Sequence, residues 1–309
     1  VTSANVRPSR NAGPGEMLRF WRARRRRSQL DLALAAGVST RHLSFVETGR
    51  SGASRELLGA LAEELEIPLR ERNALLLAAG YAPAYAERPL DDPDLAPVRG
   101  ALEQLVAAHD PYPALVVDRW GDVQLAGAAV GPLLDGLAPE ALGPPVNVYR
   151  VCLHPGGLAP RIRNLAQWRE HLLHRLERQV RVTADRRLTA LLAECRAYPA
   201  PEETALPLPG GDVLLPLLLD TPAGPLALHS TMTTFGAPHD VTLAELALET
   251  FLPADDATRA ALRAIAVAQN QESQDQESQD QEPQDQGPQD EAGATPGDSD
   301  STGVTPFST

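Results

Sequence analysis

The chain contains no lysine, so all 28 of its basic residues are arginines. With abundant Ala, Leu, Pro and Gly, this points to a GC-rich coding sequence and says nothing of mechanism. Cysteine is scarce: Cys152 and Cys195 form no CxxC, which fits free thiols in a reducing cytoplasm. No basic-then-apolar leader opens the sequence, and no apolar run approaches the roughly 20 residues a bilayer span needs. The nearest run, VLLPLLLD at 213–220, is short, contains Pro216 and reads as a buried strand. A cytoplasmic protein with no membrane segment is therefore expected.

Catalytic signatures are also missing. There is no Gly-rich phosphate loop. His171 and His174 sit close on one predicted helix beside Glu170 and Glu177, but HExxH and a cysteine partner are absent, so a solvated helix face is the plainer reading than a metal site. His154 before Pro155-Gly156-Gly157 reads as a turn residue or a hydrogen-bonding group rather than a base. Ser230, His229 and Asp220 make no nucleophile elbow. Cys152 has only Arg150 as a basic neighbour, too little to mark a reactive thiol. The expectation is no enzyme, no catalytic residue, no metal and no cofactor.

The charge is present but segregated. The formal net charge is -13, yet residues 1 to 60 hold 11 Arg against four acids, Glu16, Asp31, Glu47 and Glu56, a net of +7. Residues 269 to 309 hold 10 acids and no base. Salt screens charges beyond about 8–10 Å, so a polyanion meeting the first segment responds to its local field rather than to the total.

The stretch Ser28 to Arg50, SQLDLALAAGVSTRHLSFVETGR, organises the rest. Leu30, Leu32, Ala33, Ala36, Val38, Leu43 and Val46 keep helical spacing on both sides of a break at Gly37-Val38-Ser39. Gly37 can end one helix in a left-handed conformation, Val38 can plug the corner, and Ser39 or Thr40 can cap the next helix. Two short helices at such a turn make a helix-turn-helix. Thr40, Arg41, Ser44 and Phe45 would point outward from the second helix. Arg41 suits a guanine edge, Thr40 and Ser44 suit several bases, and Phe45 suits a thymine methyl. Gln29 at the first helix start and Arg50 after Gly49 could hold phosphates. The predicted DNA-binding set is thus Gln29, Ser39, Thr40, Arg41, Ser44, Phe45 and Arg50. The plain alternative is a helical hairpin in an ordinary bundle.

With these residues in view, the segment from about Gly15 to Ala84 resembles the Xre family of bacterial and phage-type regulators, through SQLDLA, GVSTRHLSFVETGR and LAEELEIPLRERNALLLAAGYAP. STRHLSFVETGRS followed by ERNALLLAAGYAPAY resembles the MmyB-like regulators. The resemblance extends to about Ala266 and departs at Ser51-Gly52-Ala53, where such proteins often carry Arg-Pro. It implies a five-helix DNA-binding domain joined to an α+β PAS-like ligand-binding domain, with an apolar small ligand, such as a fatty acid, in some members.

The chain divides accordingly: an arm at 1–14, the helix-turn-helix domain at 15–85, a linker at 86–97, the ligand-binding domain at 98–268 and a disordered acidic, Gln-rich tail at 269–309. The tail carries a five-residue repeat, ESQDQ at 272 and 277, then EPQDQ and GPQDE. The first helix, about Pro14 to Arg27, should bury Met17, Leu18 and Trp21 and expose Arg22 and Arg24 to Arg27 toward phosphate. Leu90 to Pro97 reads as a hinge and Ala200 to Leu208 as a Pro-rich connector. Beyond Pro97, a helix, a hairpin across Asp118 to Asp122 and short helices precede a long amphipathic helix, about Ile162 to Arg181. Two strands follow, Val213 to Leu219 and Leu226 to Phe235, then Val241 to Phe251, helical or extended. Candidate ligand-lining residues are Val117, Trp120, Leu125, Trp168, Leu228 and Phe235, each of which could equally be plain core.

Together these readings predict a homodimeric, ligand-responsive regulator bound to double-stranded DNA. Two rivals stand beside it. In one, the head is a protein-binding, antitoxin-like adaptor. In the other, the C-terminal half is an enzyme tethered to DNA.

Overall fold

Three serines start helices early in the chain. Ser28 Oγ accepts from Asp31 N at 3.1 Å and the Asp31 carboxylate accepts from Ser28 N at 3.2 Å, a reciprocal capping box. Ser39 caps with His42 N and Ser54 with Leu57 N. The computed structural model, which describes residues 12–200 and 214–280, accordingly has five helices in this head: α1 (Pro14–Arg24), α2 (Gln29–Ala35), α3 (Thr40–Glu47), α4 (Arg55–Glu64) and α5 (Leu69–Ala78). Gly37, at φ +67°, makes the left-handed turn between α2 and α3. At Gly15 an added Cβ would lie 2.3 Å from Val46 O, so glycine there lets α1 rest directly on α3. Leu18, Trp21, Leu32, Leu43, Leu61 and Leu75 are among the buried core of this unit, with Val38 packed at the corner as expected. Phe20 is buried too, whereas Met17 is only half-buried.

The arginine block behaves differently from the expectation. Arg22 is bound by Glu47, and Arg25 donates to Leu65 O and Glu66 O at 2.9 Å, closing the end of α4. Arg27 pairs with Glu64, and Arg24 donates to Val180 O and Arg181 O in the second half of the chain. Arg26 alone of the five is exposed. The block therefore ties helix ends together rather than standing free for phosphate. The physical reason is that the carbonyls at a helix C-terminus are unpaired within the helix and attract guanidinium donors.

The second region comprises α6 (Ala96–Ala107), β1 (Ala114–Val117), β2 (Val123–Ala126), α7 (Gly131–Leu134), α8 (Pro139–Leu142), α9 (Val148–Leu153), α10 (Leu165–Thr183), α11 (Arg186–Ala197), β3 (Leu217–Thr221), β4 (Gly224–Thr234), α12 (Val241–Glu245), β5 (Ala247–Pro253) and α13 (Asp256–Asp280). The strands form one antiparallel sheet in the order β2-β1-β5-β4-β3. β5, the central strand, resolves the ambiguous stretch Val241 to Phe251 into a short helix and a strand. One sheet face packs Ala114, Val116 and Leu248 on Leu102 and Val106 of α6. The other turns Leu115, Val117 and Phe251 toward the helices that cross over from β2 to β3.

Residues 86–97, expected as a linker with a hinge, are docked. Ala86 bridges to Asp240, Val241 N donates to Ala86 O at 2.8 Å, and Leu95 is buried. α13 continues through Asp280, so the first ESQDQ unit, 272–276, is helical where a disordered tail was expected. The tail beyond 280, residues 1–11 of the arm and most of the Ala200 to Leu208 connector lie outside the described residues.

Candidate functional site

The outer face of α3 gathers four of the predicted residues. Leu43 and Val46 are buried beneath it, while Thr40, Ser44 and Phe45 are half-buried and Arg41 is exposed. The Arg41 guanidinium lies over the Phe45 ring, 5.3 Å from its centroid, which partly orders a long side chain in solvent. Ser39 is exposed at the helix start with its hydroxyl accepting from His42 N, so it orients α3. Arg50 is exposed just past the α3 C-terminus.

Behind this face lies a contact the sequence did not announce. Glu47, only 2% exposed, receives Arg22 Nε at 2.6 Å, Arg22 Nη2 at 2.8 Å and Gln29 Nε2 at 2.7 Å. Arg22 Nη1 continues to Arg27 O at 3.0 Å. One carboxylate thus bolts α1, α2 and α3 together. The hydrogen bonds to Glu47 hold the Arg22 pKa above its ordinary value, so the guanidinium stays charged. Gln29, predicted to reach a phosphate, has its amide engaged by this carboxylate.

A second feature is an apolar cavity of about 80 Å³ between the sheet and α7, α9 and α10. Leu115, Leu133, Val148, Leu172, Leu228 and Phe251 are among its walls, with Trp168, Arg175, Cys152 and Glu249 also bordering it. Of the six predicted ligand residues, Trp168 and Leu228 line it and four do not. Val117 is buried in the adjacent cluster with Val130. Leu125 faces α6: the β1–β2 register shifts between Val116 and Val117, pairing Leu125 with Val116 and Val123 with Val117, so two residues that ordinary alternation puts on one face part company. Trp120 lies in the turn, with the guanidinium of Arg187 4.7 Å and that of Arg70 5.7 Å from its ring centroid. Phe235 follows the end of β4 and is exposed.

Trp120 and Leu125 instead border a larger cleft, about 390 Å³, between the head and the sheet domain. Ion pairs cross beside it. Arg70 of α5 meets Glu245 of α12 at 2.9 Å, Glu245 also takes Arg119 at 2.6 Å, and Arg119 continues to Asp185 at 2.9 Å.

Neither cysteine is set up for redox chemistry. Burial pushes the Cys152 and Cys195 thiols up to about 12, keeping both protonated, and Arg150 is turned to Glu194 at 2.7 Å. His154 Nδ1 accepts from Gly156 N at 3.0 Å, the turn role expected of it. His171 is stacked 5.2 Å from the Trp168 ring, and burial lowers its pKa.

A capped helix-turn-helix mounted on an α+β domain with an internal apolar cavity defines a class: a DNA-binding head joined to a ligand-binding body. Residues 18–72 match the helix-turn-helix family model of Xre type, and residues 98–265 match the model of the MmyB-like transcription regulator ligand binding domain. The chain belongs to this MmyB-like family, and it is a DNA-binding transcription regulator with a ligand-binding domain. No curated protein matches it. Among the described residues, no helix is long and apolar enough to cross a membrane.

Proposed function

We propose that the protein is a cytoplasmic bacterial regulator that binds a two-fold symmetric operator as a homodimer and answers to an apolar small molecule held in its C-terminal cavity. Residues 15–85 form the DNA-binding domain and 98–268 the PAS-like ligand domain; the strand order β2-β1-β5-β4-β3, with helices crossing over between β2 and β3, supports the latter. Each α3 enters a major groove, where Arg41, Thr40, Ser44 and Phe45 read base edges, and Arg50 sits over a phosphate, while Gln29 helps Glu47 hold the helices in place. The dimer follows from arithmetic: one short helix reads too few base pairs for specificity, and two heads about 34 Å apart double the count. The carrying observation is the exposed Arg41 stacked on Phe45, on a helix clamped from behind by Glu47.

Helix α10 supplies the coupling. Its first three turns present Trp168, Leu172 and Arg175 to the cavity, and carbonyls of its last turn, Val180 O and Arg181 O, accept from Arg24 of the head. Ala184, just beyond, packs on the head core. A ligand that shifts α10 acts on the seating of the head and so on the spacing of two recognition helices.

A protein-binding adaptor remains the second reading, favoured by Leu30 and Leu34 of α2, which are 58% and 72% exposed. A gel shift on random DNA separates the two. The regulator retards it and loses affinity steeply with salt; an adaptor leaves it unshifted.

A further inference from the structure

The apolar cavity has one polar end, and the charge there is already balanced. Arg175 of α10 and Glu249 of β5 pair in parallel, Nη1 to Oε1 at 2.9 Å and Nη2 to Oε2 at 3.2 Å, with side chains 8% and 5% exposed. Ser230 Oγ donates to the same Oε1 at 2.9 Å. Glu249 is thus well supplied, and what remains over is donors. Arg175 Nε and Trp168 Nε1 are both buried without a hydrogen-bond partner. Both residues border the cavity, and Trp168 Nε1 has the Cys152 thiol, a weak acceptor, beside it. A buried N–H left unpaired is costly, so two such groups at the wall of one apolar space point to an acceptor that comes from outside the chain.

The neighbouring titratable groups add no charge. Tyr149 and Cys152 from α9 and Cys195 from α11 have their pKa values raised by burial and stay neutral at physiological pH. His171, on α10 itself, has its pKa lowered by burial. Among the described residues that line the cavity, Arg175 is the one cation and Glu249 the one anion.

From this geometry we infer that the cavity binds an uncharged apolar molecule ending in a carbonyl-type acceptor, such as an ester, amide or lactone, in preference to a carboxylate. The inference rests on reading the cavity as the ligand site. A carbonyl oxygen has two lone pairs, which match the two spare donors and leave the Arg175–Glu249 pair intact. A carboxylate at the same place adds a second negative charge next to Glu249, in a low-dielectric setting with no further cation to offset it. The cavity volume of about 80 Å³ is small for either, so the walls, Leu172 and Phe251 among them, yield on binding.

The test uses the full chain and two probes with the same heavy-atom count, methyl octanoate and nonanoate, titrated at neutral pH. Methyl octanoate is expected to bind at least about tenfold tighter, and Glu249→Gln, which leaves Arg175 uncompensated, should reverse that order. Trp168→Phe keeps an aromatic ring in the wall and removes one donor, so it serves even if Glu249→Gln does not fold. In the wild type the infrared carbonyl band of bound ester moves to lower frequency, and in Trp168→Phe it moves back. Nonanoate binding as tightly as the ester, or an unshifted carbonyl band, overturns the inference and leaves the cavity as a ligand site. Binding of neither probe overturns both.

Discussion

The head and the sheet domain both bury an arginine–glutamate pair, and the two pairs are finished differently. In the head, all three nitrogens of Arg22 have acceptors and Glu47 also takes Gln29. In the sheet domain, Glu249 is equally well supplied, but Arg175 keeps Nε unpaired beside an apolar cavity. The same chemistry thus clamps three helices rigidly in one place and leaves donors in reserve in the other. The difference matches the two tasks. A helix that reads bases must be held in one pose, whereas a receptor needs unsatisfied groups for a ligand to complete.

The comparison can be broken by removing one partner of each pair. Glu249→Ala leaves Arg175 buried and uncompensated, and Arg22→Met leaves Glu47 so; each is expected to cost about 3–5 kcal/mol in urea unfolding. The double change Arg175→Met with Glu249→Leu should recover most of its share. A single loss below about 1 kcal/mol would show that the pairs do not bear on stability as described. Next in size, Leu172→Ala removes a cavity wall and should cost about 2–5 kcal/mol, while tightening the binding of an apolar probe to the enlarged space. A matching gain for a probe titrated against a head-core change such as Leu61→Ala would contradict a cavity confined to the sheet domain.

Smaller effects sharpen the contrast at the surface. Arg41→Ala should cost about 1–3 kcal/mol in operator binding and relax preference at a single base pair, read by competition among operator variants. An equal loss on every sequence would reduce Arg41 to a phosphate contact. Arg24→Ala removes the donors to Val180 O and Arg181 O together with the guanidinium over Phe20, and should change stability by less than about 1 kcal/mol. Its effect is expected instead on the linkage between probe binding and DNA binding, measured as the change in operator affinity with and without bound ester. The smallest expected signal is chemical: with thiols pushed up to about 12, Cys152 and Cys195 should resist iodoacetamide at pH 8 until the chain is unfolded.

Much of the head was legible from the chain because its signals are local. Gly37, Ser39 and the spacing of Leu43 and Val46 specify a turn, a cap and a buried stripe within one short window. The partners of Arg22, Arg24, Arg25 and Arg27 were not legible, since an arginine run looks the same whether it faces phosphate, a glutamate or the carbonyls of another helix. β5 was ambiguous because Glu249 and Thr250 interrupt its apolar pattern, although both are buried. Leu125 was assigned to the wrong face because a one-residue shift in register cannot be seen in either strand alone.

What the sequence determined by itself is whatever near neighbours along the chain decide: the capped helices, the helix-turn-helix, the outward Arg41 and the apolar strands of the second domain. Tertiary structure alone decided which charges meet, as in Glu47 gathering α1, α2 and α3, and where a hollow is left, as beside Trp168 and Arg175. The physical reason is range. Caps and periodicity act over a few residues, whereas an ion pair such as Arg175–Glu249 joins groups 74 positions apart, and a cavity is a property of the space between elements and of no single one of them.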